Sequence, residues 1–304
     1  MTSHHTPAEA GLPSLPPLSD ADQLIEALSK NIRLRAGGFI VTIYGDVVEP
    51  RGGHVWMGNL IETCASVGIN ESLVRTAVSR LVAADRLKGS REGRKSYYSL
   101  SDAAQGEFLA AAKRIFGPVE PQDWCFVWLP DSATEADQVV LEGVGFRRTG
   151  AGWWLGPRGH LPQSAKGLVL AADMLGDRDL IRSMAAGLWD WTPLSEAYQA
   201  FVTGFTPILV ALEQGMAIRP DQMLQLRLLM VHQFRQVALR DPDLPLAARP
   251  EPWIGHQARA LFAMLYRLLS GGADAYIARQ FVSVDGPLPA TTAMVERRLV
   301  LLAG

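Results

Sequence analysis

The chain has 304 residues, 48 % of them hydrophobic, and a formal net charge of −2 at pH 7. That is enough material for two or three domains with cores of their own, and the near-neutral total excludes a uniformly basic nucleic-acid binder. The total hides an asymmetry. From Lys30 to Leu100, 11 Lys+Arg stand against 6 Asp+Glu, a net of +5, while the other 18 basic and 25 acidic residues give −7. Nucleic-acid affinity needs a positive footprint rather than a positive protein. Cys64 and Cys125 are isolated in apolar surroundings, which predicts buried free thiols and neither a disulfide framework nor a cysteine metal cluster. With no apolar run approaching a membrane span and no signal-peptide pattern at the start, a cytoplasmic protein that does not engage a membrane is expected.

In chain order, residues 1–19 are rich in Pro, Ser and Ala and predicted to be a disordered tail; they include His4 and His5. Asp20, or Ser19 before it, caps a helix to about Leu34, and Gly37 and Gly38 break it. Phe39 to Tyr44 reads either as a short strand or as an apolar helix carrying Phe39, Ile40 and Ile43 inward. After a loop at Pro50, Gly52 and Gly53, Trp56 to Ser66 has a helical pattern. Residues 67–70 turn, and Glu71 to Ala84 forms the next helix. Leu87 to Leu100 is a hairpin, and Ser101 to Phe116 a helix leading outward.

Pro118 and Pro121 flank a boundary. The aromatic run Trp124 to Leu129 is a strand signal. Asp131 or Ser132 starts a helix to about Leu141; short strands follow near Phe146 to Thr149, Trp153 to Leu155 and Leu168 to Ala171, then a helix from Asp177 to Ala186. From Leu188 the pattern is helical. Segments are expected at Ser195 to Phe205, Pro207 to Gln214, Asp221 (as cap) to Leu239, Gly255 to Leu269, Ala273 to Phe281 and Thr291 to Leu301, with a Pro-rich loop from Asp241 to Trp253. The expected units are residues 1–19, 20–117, 118–187 and 188–304.

The helix from Glu71 carries the sharpest signal. Gly68 allows the turn and Asn70 supplies the cap. On a helical wheel Leu73, Val74, Ala77, Val78 and Leu81 fall on one side, and Ser72, Arg75, Thr76 and Ser79 on the other. A short polar face with a central arginine suits a major groove, where Arg can bridge guanine O6 and N7, with Arg80 at the edge for phosphate. The preceding helix supplies Trp56, Leu60, Ile61 and Cys64 as packing partners. Beyond it, the hairpin tip carries Arg91, Arg94 and Lys95, placed for phosphates or the minor groove. Helix, turn, helix and basic hairpin in this order are more specific than any one part.

These segments resemble the PaaX family of bacterial repressors of phenylacetate and related aromatic catabolism. The resemblance is carried by residues 41–46, 56–61, 74–81 and 93–100, and later by residues 239–245, Pro252-Trp253-Ile254-Gly255 and Leu265-Tyr266. It implies an α+β protein with an N-terminal winged helix-turn-helix, a central ferredoxin-like (Cas2-like) domain and a helical C-terminal domain. It also implies a homodimer on a palindromic double-stranded DNA operator, released by an acyl-CoA effector such as phenylacetyl-CoA, with no resident cofactor. Two features depart from the family: Asp85-Arg86 stands where Gly-Trp is usual, and the chain before Leu34 is long.

An acyl-CoA needs an apolar pocket and cations. Arg147, Arg148, Trp189, Trp191, Tyr198 and Arg235 are the candidates, with Trp153, Trp154, Phe201, Arg158 and Lys166 behind them. A related acyl-CoA or a free carboxylic acid is the alternative effector. In the 240–245 block Asp241 caps a turn, Arg240 and His232 are placed to pair with an acid, and Trp253 anchors the loop. No Gly-x-Ser-x-Gly, His-Glu-x-x-His or P-loop occurs, so neither catalytic nor metal residues are assigned. An enzyme would instead need a sequestered pocket with convergent reactive groups. A non-DNA interaction module would cover the second helix with another domain.

Overall fold

A computed structural model describes residues 20–118, 122–162 and 165–303; the expected tail lies outside them. The architecture is α+β, with an N-terminal helical region and small sheets. Asp20 caps α1 (Ala21–Asn31) by accepting the Asp22 N–H, and the backbone turns extended at Ile32, so this helix ends short of Leu34. The Phe39 segment is a helix, α2 (Ala36–Ile43), with Phe39, Ile40 and Ile43 fully buried. It runs on through a wide π turn, Tyr44–Val48, and a 3-10 turn, Glu49–Arg51.

Next come β1 (His54–Trp56), α3 (Met57–Ala65), α4 (Glu71–Ala83), the hairpin β2 (Leu87–Glu92) and β3 (Lys95–Leu100), and α5 (Asp102–Phe116), capped by Ser101. The three strands form an antiparallel sheet in the order β1-β3-β2. Trp56 therefore belongs to a strand and not, as expected, to the helix after it. Its extended backbone pairs with Tyr97.

The middle of the chain folds as β4 (Trp124–Trp128), α6 (Glu135–Gly143), β5 (Arg147–Gly150), β6 (Trp153–Pro157), β7 (Leu168–Ala172) and α7 (Arg178–Leu188). All neighbours in the sheet β5-β6-β4-β7 are antiparallel. Between β6 and β7 the described residues hold a 3-10 turn, Arg158–His160, and no longer helix. The period-2 alternation of β4 sends Trp124 and Phe126 to one face, with Trp189 and Ala185, and Cys125 and Val127 to the other, with Leu141 and Phe146. The cap of α6 corrects the expectation of Asp131 or Ser132. It is Thr134, which accepts from Asp137 N–H while the Asp137 carboxylate accepts from Thr134 N–H. That reciprocal pairing satisfies more end groups than a lone carboxylate three residues upstream could.

The rest is α8 (Thr192–Glu213), α9 (Pro220–Ala238), α10 (Ile254–Gln280), the small hairpin β8 (Val282–Ser283) and β9 (Gly286–Pro287), and α11 (Ala293–Leu301). Two expected breaks are absent. Pro207 lies inside α8, because the buried face continues through it from Tyr198 and Phe205 to Ile208 and Ala211. Likewise α10 is one helix across Leu269 and Ala273, both fully buried. Asp221 is not the cap of α9: Arg219 takes that place, with Pro220 first in the helix and Asp221 inside the first turn.

One continuous core joins the first and last thirds of the chain. Phe116, at the end of α5, sits edge-on to Tyr266 at 5.3 Å and near Phe262, which stacks on Phe234 at 4.1 Å. The helix leaving the hairpin thus ends as a plug in the aromatic core of α9 and α10. Residues of the middle sheet form separate clusters, one of them shared with Leu244 and Ala248 of the 241–253 loop.

Candidate nucleic-acid interface

Helix α4 is fixed by one side and free on the other. Asn70 accepts the Leu73 N–H at 3.0 Å as its cap, and Val74 and Val78 are buried against the core. Ser72, Arg75, Thr76, Ser79 and Arg80 are all exposed. Leu73 departs from the expected inward face: it is 53 % exposed, because a residue one position before Val74 already lies on the flank of the buried stripe. The Arg75 guanidinium forks onto Glu71 at 2.7–2.8 Å, with both side chains more than half exposed. A pair so solvated is worth little, so Arg75 can exchange Glu71 for another acceptor.

The hairpin turns at Gly93-Arg94 between the paired residues Glu92 and Lys95. Gly93 has φ 58°, which a two-residue hairpin turn requires and glycine adopts freely. Arg91, Arg94 and Lys95 are exposed at this tip. Tyr97 points inward and is buried. Lys95 Nζ lies 4.9 Å over the Trp56 ring, a cation–π contact that the sequence reading missed. Trp56 folds back over the start of α3, and Gly58 makes room: a Cβ there would fall 2.3 Å from the indole. At the hairpin base Lys88 pairs with Asp102 at 2.8 Å, and Arg86 with Glu107. These solvated pairs add little; the firmer tie to α5 is Ser101, which caps that helix and whose hydroxyl donates to Asp85 O. Asp85 adopts φ 49°, a left-handed backbone that Asp tolerates better than most residues.

The effector candidates are not brought to one place. Arg147 donates to the carbonyls of Phe146 (2.8 Å) and Glu142 (3.3 Å), and Arg148 is exposed. Trp189 is buried under the middle sheet with its indole N–H on Gly145 O at 2.9 Å. Trp191 meets Trp253 edge-on at 5.2 Å; Tyr198 also meets Trp253, and its hydroxyl donates to Asp241 at 2.9 Å. Burial, and then Asp241, push the Tyr198 pKa upward. Arg235 lies elsewhere, on a cavity between α2, α5 and α9.

Asp241 does cap its turn, accepting Asp243 N–H at 2.8 Å, and Trp253 is buried as the loop's anchor. His232 and Arg240, however, do not pair with an acid. His232 bonds the Thr42 hydroxyl (2.9 Å) and the Gln236 amide (2.7 Å), and Arg240 donates to Gln236 O. Burial, with Arg235 nearby, pushes the His232 pKa down to about 4.

The sequence reading also missed a buried charge cluster behind the interface. Arg227, 1 % exposed, donates to Asp46 at 3.0 Å and Asp274 at 2.7 Å. Arg51 shares Asp274 at 2.7 Å, and the Tyr266 hydroxyl donates to Asp46 at 2.8 Å. Burial opposes the Arg227 charge, but Asp46, Tyr266 and Asp274 raise its pKa overall. The cluster clamps the π turn after α2 onto α9 and α10. One signal in the sequence was available: Arg227 interrupts the apolar run of α9, and a cation in such a place must be paired.

Among the described residues no group of three or more His, Cys, Asp or Glu could hold a metal ion, and no helix is long and apolar enough to cross a membrane. Cys64 is buried, its thiol pushed up to about 12 by desolvation, which suits packing and not nucleophilic attack.

Two sequence profiles match the chain: one described as PaaX-like protein over residues 35–104, and one described as PaaX-like protein C-terminal domain over residues 189–279. The transcriptional repressor PaaX of Escherichia coli (strain K12) is 28 % identical over 304 residues, covering 92 % of this chain and 95 % of that protein. Among solved structures, the uncharacterized protein Rv0674 from Mycobacterium tuberculosis aligns with a TM-score of 0.44 and 23 % identity, over 72 % of this chain and 89 % of that one.

Proposed function

The chain belongs to the PaaX-like family, whose members are regulators and not enzymes, and from that premise we propose that it is a transcriptional repressor that binds duplex DNA through α4 and the β2–β3 hairpin. One observation carries the reading. The side of α4 opposite its buried Val74 and Val78 exposes Ser72, Arg75, Thr76, Ser79 and Arg80, flanked by Leu73 and Val82, next to a hairpin whose tip holds three cations. In this reading residues 20–117 act as a winged helix-turn-helix. Ser72, Arg75, Thr76 and Ser79 face base edges, and Arg80, Arg91, Arg94 and Lys95 meet phosphates. Leu73 adds an apolar contact suited to a thymine methyl.

The finer reading makes the repressor a cytoplasmic homodimer on a palindromic operator of an aromatic-acid catabolic operon, since two-fold protein symmetry is matched by two-fold operator symmetry. Its effector is an acyl-CoA such as phenylacetyl-CoA. The four-stranded sheet of residues 118–187 serves as a ferredoxin-like spacer, and residues 188–304 serve effector sensing and dimerisation.

Selection of genomic fragments with the purified protein, followed by release with a panel of acyl-CoA thioesters, tests this. Enrichment of a sequence with inverted half-sites, and its loss on adding one thioester, is the expected result. Fragments no more enriched than scrambled duplex would overturn the repressor assignment.

A further inference from the structure

The cavity between α2, α5 and α9 has a volume of about 180 Å³ and is walled by Val41, Phe108, Ala112, Ile115 and Leu239, with Arg235 among them. Its few polar neighbours are already engaged. The Asp46 carboxylate is held by Arg227 and Tyr266, Glu107 faces Arg86, and Thr42 bonds His232. Arg235 is different. One terminal nitrogen donates to Gly38 O at 3.3 Å, and its buried Nε has no partner among the described residues. Arg235 is half-buried, but its Nε is shut away from water with that donor unmet, which is unfavourable, and a carboxylate is the acceptor whose geometry and charge fit it.

We propose that this cavity is a binding site for a small apolar monocarboxylate, its acid group on Arg235 and its ring or short chain against Phe108, Ala112 and Ile115. Size limits the ligand. A cavity of about 150 Å³ takes a benzene ring, whereas drug-sized ligands need about 300 Å³ or more. The space accommodates a single-ring or short-chain acid, and the bulk of a coenzyme A thioester would have to lie outside it.

The position gives the site an output, which rests on the repressor reading above. Helix α2 is buried against α4, and α5 carries Glu107 and Asp102, the partners of Arg86 and Lys88 at the hairpin base. Glu107 lines the cavity as well. An acid entering between α2 and α5 therefore presses on both supports of the DNA-contacting face and lowers DNA affinity.

The test is isothermal titration of the full-length protein, without DNA, using benzoate, phenylacetate and hexanoate and their neutral amides. At least one acid should bind, its amide about tenfold more weakly, the scale of a lost charge-assisted pair. Arg235→Gln should weaken the acid by about tenfold and leave the amide unchanged. Ala112→Phe fills the cavity and should abolish binding of both while keeping the parent's unfolding midpoint. No heat from any acid at millimolar concentration would overturn the proposal, as would an acid and amide of equal affinity or an acid that binds Ala112→Phe as well as the parent. Gel shifts on the same samples separate the two readings. A parent that binds DNA but no acid sinks the cavity alone. A parent that binds acid but no DNA sinks the repressor and leaves the site standing.

Discussion

The outer face of α4 with the hairpin tip, and the cluster around Asp46, use the same side chains in opposite surroundings. Arg75 and Glu71 are 58 % and 57 % exposed and pair across one helical turn; Arg227 and Asp46 are 1 % and 0 % exposed and pair across the core. In water such a pair contributes between zero and about 1 kcal/mol, so its members are free to change partners. In the core each ion has lost its hydration, and removing one leaves the other uncompensated. The exposed set is available to a polyanion. The buried set holds the π turn after α2, α9 and α10 in one register, together with Arg51 before β1.

The largest expected effect breaks the buried set. Asp46→Ala leaves Arg227 and Arg51 sharing the single carboxylate of Asp274 and takes the acceptor from the Tyr266 hydroxyl, and should lower stability by about 3–5 kcal/mol in urea unfolding. Replacing Asp46 and Arg227 together by leucine should recover part of that loss, because no buried charge is then left alone. Glu71→Ala on the exposed face is the control, expected within about 0.5 kcal/mol of the parent. If Asp46→Ala is as mild as Glu71→Ala, the distinction between the two regions fails.

His232 gives the next effect. Its imidazole titrates near 6.5 when unfolded and at about 4 when folded, through burial first and Arg235 second. Between those values the unfolded chain holds a proton that the folded chain does not. Stability from this group is therefore intact above pH 6.5 and falls as pH drops toward 4, by up to about 3 kcal/mol. His232→Gln should flatten the stability profile in that window and leave it unchanged above it. A parent and variant with parallel profiles would show that the imidazole protonates in place.

On the exposed face Arg75→Ala should weaken specific DNA binding by about 1–3 kcal/mol and hardly move the unfolding midpoint. Competition between specific and scrambled duplexes reads this directly. Equal discrimination by variant and parent would remove Arg75 from the base contacts.

These two regions also mark what could be read from the sequence. A helix pinned by Val74 and Val78 leaves its polar residues in water, so the polar face of α4 follows from spacing, Leu73 apart, as does the Asn70 cap. The contacts of Asp46 with Arg227 and Tyr266 join residues 181 and 220 positions apart, and nothing local encodes them. The same holds for the continuity of α8 through Pro207 and of α10 past Leu269, which tertiary burial decides over local propensity. The effector candidates dispersed for a related reason. Trp189 and Tyr198 are aromatic because two cores need them, and composition cannot separate packing from recognition.

The smallest effect sharpens the comparison within the exposed face itself. Arg94 and Lys95 are both at the hairpin tip, but Lys95 is held over Trp56 at 4.9 Å. If both meet phosphates, Arg94→Ala and Lys95→Ala should each reduce the salt dependence of DNA binding by about one counterion. Trp56→Phe should behave differently. It keeps every charge, so its salt titration should run parallel to the parent's. It weakens the cation–π contact that pre-orders Lys95, worth about 0.5–1 kcal/mol at an exposed site, so the line should lie lower by no more than that. A changed slope would mean that the ring itself touches the DNA. An unchanged line would mean that Lys95 leaves the ring to bind, and that the ammonium over Trp56 is a resting position only.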